Sequence, residues 1–233
     1  MTGTLHGLGV GPGDPELITV KAFRVLKESA VIAYPVKKRG NKSYAQQIID
    51  VYVNPLEKEM LGLVFPMTKD AQELEREWAN AVERIWEKLR EGKDVAFVTE
   101  GDPLFFSTFI YLMRLMKEQH PEVPIKIVPG ITSFGGAASR LALPLADNND
   151  RIAIVPATDD VEEMKKVIQE HDCIVFIKVA KVIKQMLTIL RELDLIDKAS
   201  VVSKVTSPEE IIWDVNSLDD VDLEYLSLMV VRK

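Results

Sequence analysis

Gly7-Leu8-Gly9-Val10-Gly11-Pro12-Gly13-Asp14-Pro15 is the stretch from which the rest of this chain is read. Only glycine takes positive φ at little cost, so alternating glycines mark backbone that bends sharply or lies close to something. Residues 5–10 form an apolar strand leading into the loop. Asp14 is placed as an N-cap with Pro15 at the first helical position, where its missing N–H costs nothing. A helix is predicted over residues 15–28, with Leu17, Ile18, Ala22, Val25 and Leu26 as its apolar stripe. Residues 30–34 then read as a buried strand closed by Pro35. Strand, helix, strand is the unit of a parallel sheet. A glycine loop feeding a helix N-terminus is a place of ligand approach in such sheets, although a plain strand-to-helix turn gives the same pattern.

The loop is neither of the two common nucleotide motifs. Read as G-x-G-x-x-G from Gly7, the third glycine position is Pro12, and from Gly9 it is Asp14. No Gly-Lys-Ser/Thr follows, as a P-loop requires.

Two further sites repeat the plan. Residues 94–98 are a buried strand running into Thr99-Glu100-Gly101-Asp102-Pro103, with a helix expected from 105–107. A carboxylate and backbone amides are presented together there, which suits a cation, an amine or ribose hydroxyls. Residues 125–128 are a strand ending in Pro129-Gly130-Ile131-Thr132-Ser133, followed by a small-residue helix through Gly135, Gly136, Ala137 and Ala138. Between the first and second sites lie a helix over 43–52, a strand over 61–65 and a long helix over 70–91. In the long helix, Leu74, Trp78, Val82, Ile85 and Leu89 make one buried face, which assigns the tryptophan to the core.

Four cations, Lys37, Lys38, Arg39 and Lys42, follow the second strand. Such a run is either a solvated loop or a clamp for carboxylates. Its place beyond a strand's carboxyl end favours the clamp. After the polar run Asp147-Asn148-Asn149-Asp150 the pattern restarts, with strands over 151–155, 173–178 and 200–203 and helices over 160–170 and 182–193. Residues 210–215 and 225–232 read as a closing antiparallel hairpin. The whole is an α/β chain of two domains, 1–130 and 131–233, with a ligand cleft expected between them.

Composition narrows the function classes. The net charge of −7 argues against a general nucleic-acid binder, whose affinity needs a basic face. The single cysteine, Cys173, sits in an apolar run and reads as a buried thiol rather than a nucleophile. Three histidines without metal-ligand spacing give no expectation of a metal site. No apolar run reaches the length that spans a bilayer, and no signal core opens the chain, so a cytoplasmic protein is expected.

Taken together and in order, Gly9-Val10-Gly11-Pro12-Gly13-Asp14, Glu100-Gly101-Asp102-Pro103 and Pro129-Gly130-Ile131-Thr132-Ser133 with Leu143-Pro144-Leu145 closely resemble the tetrapyrrole (corrin/porphyrin) methylase family. The resemblance covers essentially the whole chain. Tyr34-Pro35, Lys42-Ser43 and Phe65-Pro66-Met67 make it most similar to the branch that methylates carbon 20 of precorrin-2 or cobalt-factor II in cobalamin synthesis. Family members that methylate uroporphyrinogen carry an Asp after the second strand's tyrosine and a Lys in the next glycine loop. Here Pro35 follows Tyr34 and residues 61–67 hold no lysine, which points to a different ring position.

The resemblance implies S-adenosylmethionine as co-substrate, bound in the cleft between the domains, and a homodimer. It implies cofactor contacts at Pro12, Glu100, Gly101, Asp102, Phe105, Thr132, Ser133, Lys178, Val179 and Val205. Lys37, Lys38, Arg39 and Lys42 are the candidates for a polycarboxylate tetrapyrrole. The sulfonium methyl is already activated and the acceptor is an electron-rich ring carbon, so the protein's work is mainly alignment, worth about 7–11 kcal/mol. Tyr34 and Glu100 are the candidates for the base that removes a proton afterwards. The readings held against this one are a methylase for another ring position, a diphthine synthase, a nucleotide-binding oxidoreductase and a non-catalytic effector-binding module.

Overall fold

A computed structural model describes residues 2–233 except positions 39, 42 and 69. Its contacts divide the chain into two compact units, Met1–Thr132 and Ser133–Lys233.

The first unit carries a five-stranded sheet of β1 (Leu5–Gly9), β2 (Val31–Val36), β3 (Glu59–Val64), β4 (Val95–Thr99) and β5 (Ile125–Val128), in the order β3-β2-β4-β1-β5. Every pairing is parallel. β1 and β4 are buried at each position because they lie inside the sheet with helices on both faces. On one face α1 (Val20–Glu28) and α2 (Tyr44–Ile49) cover Leu8, Val10, Ile32, Ala96 and Val98. On the other, α3 (Ala71–Arg90) and α4 (Phe109–Gln119) cover Leu5, Ala33, Leu61, Leu63 and Phe97. Full burial of each of the larger of these side chains, the two alanines apart, stabilises by about 1.5–3 kcal/mol.

Local chemistry corrects three expectations here. The helix predicted over 15–28 is broken: Asp14 caps a short 3₁₀ turn, Pro15–Leu17, and Ile18 and Thr19 are then extended. Thr19, whose hydroxyl accepts from the Ala22 amide at 3.1 Å, is the true cap of α1. Pro35 does not close β2 but lies within it, opposite Leu63. It is tolerated because β4 pairs with β2 only as far as Ala33. α4 begins at Phe109 rather than at 105–107, since Phe106 is left-handed at φ 52° and the Ser107 hydroxyl accepts from the Phe109 amide at 3.1 Å. Trp78 packs against the core as expected and also stacks on Tyr111, ring centroids 4.5 Å apart.

The second unit holds α5 (Ser133–Arg140), β6 (Ile152–Pro156), α6 (Val161–Glu170), β7 (Cys173–Ile177), α7 (Ile183–Glu192), β8 (Ala199–Ser203), β9 (Ile211–Trp213) and β10 (Ser227–Arg232). Its sheet order is β6-β7-β10-β8-β9. The expected terminal hairpin does not form. β10 inserts antiparallel between β7 and β8, while β9 pairs with β8 at the edge. The reason is burial: residues Ser227 to Val231 are buried throughout, whereas Ile211 and Ile212 are exposed. Cys173 is fully buried in β7, and burial pushes its thiol pKa up, consistent with an inert core thiol.

Candidate functional site

The three glycine sites meet in the first unit. β1 and β4 are neighbours, so the loops after Gly9 and Thr99 leave the sheet side by side. Gly11 and Gly101 form an isolated antiparallel bridge, the Gly101 amide donating to the Gly11 carbonyl at 2.8 Å. β5 brings the third loop to the other side of β1. There Asp102 ties two loops together. Its Oδ1 accepts from the Leu104 amide at 2.8 Å and its Oδ2 from the Gly130 amide at 3.1 Å.

The close approach explains the glycines. A Cβ on Gly9 would stand 2.5 Å from both the Gly101 oxygen and the Gly130 nitrogen. A Cβ on Gly130 would stand 2.0 Å from the Gly101 oxygen. Backbone therefore packs on backbone where three strands end, at the carboxyl edge that binds ligands in open α/β sheets. Pro12 is buried beside this junction and its carbonyl meets the Tyr44 hydroxyl at 3.5 Å. Behind the second loop, the Thr99 and Ser107 hydroxyls bond at 3.0 Å in a buried setting. Phe105 is exposed and packs edge-on against Phe106.

Thus Pro12, Glu100, Gly101 and Asp102 gather in one place, with Phe105 and Thr132 on the adjoining loops. Glu100 is half-buried at the end of β4. Burial pushes its carboxyl above the usual carboxylate range, opposed by its own backbone hydrogen bond and by the charge of Lys37. Lys37 and Lys38 are exposed just beyond β2. Arg39 and Lys42 lie outside the described residues. Tyr34, in β2, is half-buried, and burial followed by the Asp50 charge raises its phenol pKa.

The remaining candidates belong to the second unit. Ser133 opens α5. Lys178 ends β7 in a left-handed conformation, φ 58°, and starts the 3₁₀ turn Val179–Val182. Val205 is flanked by left-handed Lys204 and Thr206, at φ 46° and 66°. Non-glycine residues held at positive φ carry strain that clusters at functional sites. Val179 and Val205 are both buried but belong to different core clusters, so their side chains do not share a surface.

A cavity of about 650 Å³ opens in the first unit, and of the residues lining it only Tyr34 was a site candidate in the sequence. Tyr34 and Val36 of β2 form one side, Gly40 and Asn41 of the following loop another, and Gln46 of α2, Gly62 of β3 and Arg84 of α3 complete it. The basic loop thus borders a real cavity. Gly62 was the available signal, because a lone glycine in a strand marks close approach. A Cβ there would stand 3.3 Å from the Tyr34 ring. Among the described residues no group of three or more His, Cys, Asp or Glu side chains is arranged to hold a metal ion, and no helix is long and apolar enough to cross a membrane.

With this geometry in place, likenesses to known proteins are informative. The family model for tetrapyrrole (corrin/porphyrin) methylases matches residues 4–222. A protein of Methanocaldococcus jannaschii named as a probable cobalt-precorrin-2 C(20)-methyltransferase is 36% identical over 98% of this chain and 96% of its own length. The cobalt-precorrin-2 C(20)-methyltransferase of Salmonella typhimurium is 35% identical over 100% of this chain and 98% of its own. In fold, the chain is similar to the uroporphyrin-III C-methyl transferase of Thermus thermophilus, solved in complex with S-adenosyl homocysteine. The TM-score is 0.68 at 20% identity, covering 99% of this chain and 98% of that one.

Proposed function

The chain belongs to the tetrapyrrole (corrin/porphyrin) methylases, and from that premise we propose that it transfers a methyl group from S-adenosylmethionine to carbon 20 of precorrin-2 or its cobalt-containing counterpart in cobalamin synthesis. The observation that carries the reading is the end-to-end match, at 36% and 35% identity, to two relatives named for that ring position. The joined glycine loops supply what the chemistry needs: a rigid backbone surface with amides and the carboxylates of Glu100 and Asp102 at one sheet edge. S-adenosylmethionine supplies an activated methyl group, and its neutral leaving group needs no acid. The chain's own part is to hold donor and acceptor in line and to accept a proton from the methylated carbon.

Glu100 is the better of the two base candidates. Burial raises its carboxyl above the ordinary carboxylate range, which strengthens it as a base once ionised, whereas burial also raises the Tyr34 phenol, which keeps its proton near neutral pH. Pro12, Gly101, Asp102, Phe105 and Thr132 of the first unit, with Ser133, Lys178, Val179 and Val205 of the second, are assigned to the cofactor. Lys37, Lys38, Arg39 and Lys42 are assigned to the substrate's carboxylates. A homodimer and a cytoplasmic location, where S-adenosylmethionine is made, complete the proposal and rest on the family resemblance.

The test is incubation of the purified protein with precorrin-2 or cobalt-factor II and S-adenosylmethionine carrying a ¹³C-labelled methyl. One labelled methyl on carbon 20, located by NMR, is the expected product. A methyl elsewhere on the ring assigns the protein to another branch, and no transfer to any tetrapyrrole overturns the proposal. A melting-temperature rise with S-adenosylhomocysteine but not with NADH or NADPH is expected in parallel. Sedimentation equilibrium decides between dimer and monomer.

A further inference from the structure

β3 is an edge strand of the first sheet, so the carbonyls on its outer side have no strand to bond. One of them, at Gly62, is taken by Arg84, whose Nη1 donates to it at 2.8 Å. Arg84 belongs to α3, on the far face of the sheet from Tyr34, so its side chain reaches round the sheet edge to get there. On the near face, Tyr34 stands in register with Gly62, its ring over the bare Cα of the glycine. Arginine and tyrosine therefore meet in one cavity although they come from opposite layers.

The arginine is only half satisfied. It is half-buried, and among the described residues no carboxylate pairs with it; the Gly62 carbonyl is its acceptor. A guanidinium has five N–H donors in a fixed fork that fits a carboxylate with two parallel bonds. The Tyr34 hydroxyl also lacks a hydrogen-bond partner among the described residues, and it too faces the cavity. A cation and a hydroxyl donor line one space whose wall residues include no carboxylate, the Asp50 charge reaching Tyr34 from outside that lining, and together they make a site for an anion.

Building on the proposed function, we infer that this cavity holds one peripheral carboxylate of the tetrapyrrole, gripped by Arg84 with the Tyr34 hydroxyl as second donor. Gly62 keeps the tyrosine ring low enough to leave room for it. The site fixes the rotation of the macrocycle, and so which ring carbon faces the methyl donor. Arg84 is a substrate-positioning residue for this reaction. A purely structural arginine would instead serve as a cap on the sheet edge, and the two roles separate by measurement.

The measurement is steady-state kinetics of the full-length protein with precorrin-2, together with the Kd of S-adenosylhomocysteine and the melting temperature. Arg84→Gln is expected to raise KM roughly 10- to 100-fold, the worth of a charge-assisted bond, with the S-adenosylhomocysteine Kd unchanged. Arg84→Lys is expected to recover part of the loss, since a lysine keeps the charge without the fork. A lowered melting temperature with unchanged KM makes Arg84 an edge cap only and overturns the inference.

Should Arg84→Gln fail to fold, Gln46→Glu decides. This change puts a carboxylate on the cavity wall in the first turn of α2, where a negative charge suits the helix. It is expected to occupy Arg84, repel the substrate and raise KM at least several-fold; an unchanged KM overturns the inference. If the wild-type protein methylates precorrin-2 and neither variant alters KM, the carboxylate site alone falls. If the wild type neither methylates nor binds precorrin-2, the functional reading falls and the site falls with it.

Discussion

Asp102 accepts the Gly130 amide at 3.1 Å across 28 residues of chain, and so fastens the loop after β4 to the loop after β5. The same carboxylate accepts the Leu104 amide at 2.8 Å. Hydrogen bonds to a charged acceptor are each worth about 1.5–3 kcal/mol, less where water competes. Asp102→Ala is expected to lose about 2–4 kcal/mol of stability in urea denaturation. Asp102→Asn, which keeps one accepting oxygen, is expected to lose about half as much. Because the fastened loops form the proposed cofactor surface, both variants are expected to weaken S-adenosylhomocysteine binding, read by calorimetry. Loss of stability with unaltered binding removes Asp102 from that surface.

Gly130 and Gly40 are both glycines in loops, and the structure assigns them opposite costs. A Cβ at Gly130 meets the Gly101 oxygen at 2.0 Å, and that oxygen is backbone that cannot move aside. Gly130→Ala is expected to cost more than about 3 kcal/mol, at the top of the range for overpacking. Gly40, at φ 82°, has nothing within 4 Å of a new Cβ. Gly40→Ala is expected to cost only about 1–2 kcal/mol, the strain of a left-handed residue. Urea midpoints of the two variants check the ranking, and equal losses contradict the three-loop junction.

What the residue pattern disclosed and what it hid follow a physical rule. The loops at Gly9 and Gly130 were legible because close backbone approach there leaves no room for a Cβ, and the one at Gly101 because its φ of 65° favours glycine. The long helix was legible because its buried stripe repeats at helical spacing. Arg84 was not, because on α3 it sits among many charged residues and only the position of β3 at the sheet edge gives it a task. Strand order is a property of pairings far apart in sequence, which periodicity does not record. The misplaced hairpin has the same origin. Residues Ser227 to Val231 are buried on both faces, as a central strand requires, yet nearness in the chain suggested pairing with β9. Thr19 escaped as a cap because Asp14-Pro15 already supplied a complete helix-start signal five residues earlier.

Lys37 is expected to act twice. Its charge lowers the Glu100 pKa against the larger effect of burial, and it lies on the loop proposed for the substrate's carboxylates. Removing the charge leaves burial opposed only by the Glu100 backbone hydrogen bond, so the carboxyl holds its proton to higher pH. With Glu100 as the base, the acidic limb of the kcat profile in Lys37→Ala is expected to move to higher pH. KM for the tetrapyrrole is expected to rise several-fold, as for loss of one exposed charge contact. An unmoved limb with a raised KM keeps the substrate role and excludes Glu100 as the titrating base.

Glu100 also leaves a signature on stability that does not depend on turnover. Its folded pKa lies above the usual 4.5, so between 4.5 and the folded value the native state binds more protons than the unfolded chain. Stability then falls as pH rises through that window, because the native state must either keep a proton that solvent no longer supplies or bury a charge. Below the window both states are protonated and the penalty vanishes. Glu100→Gln removes the titrating group while keeping its size, so the variant escapes the penalty. The melting temperature of Glu100→Gln relative to wild type is therefore expected to be higher at pH 8 than at pH 4. A difference that is the same at both pH values means that Glu100 is not desolvated at the end of β4, and its role as the proton acceptor goes with it.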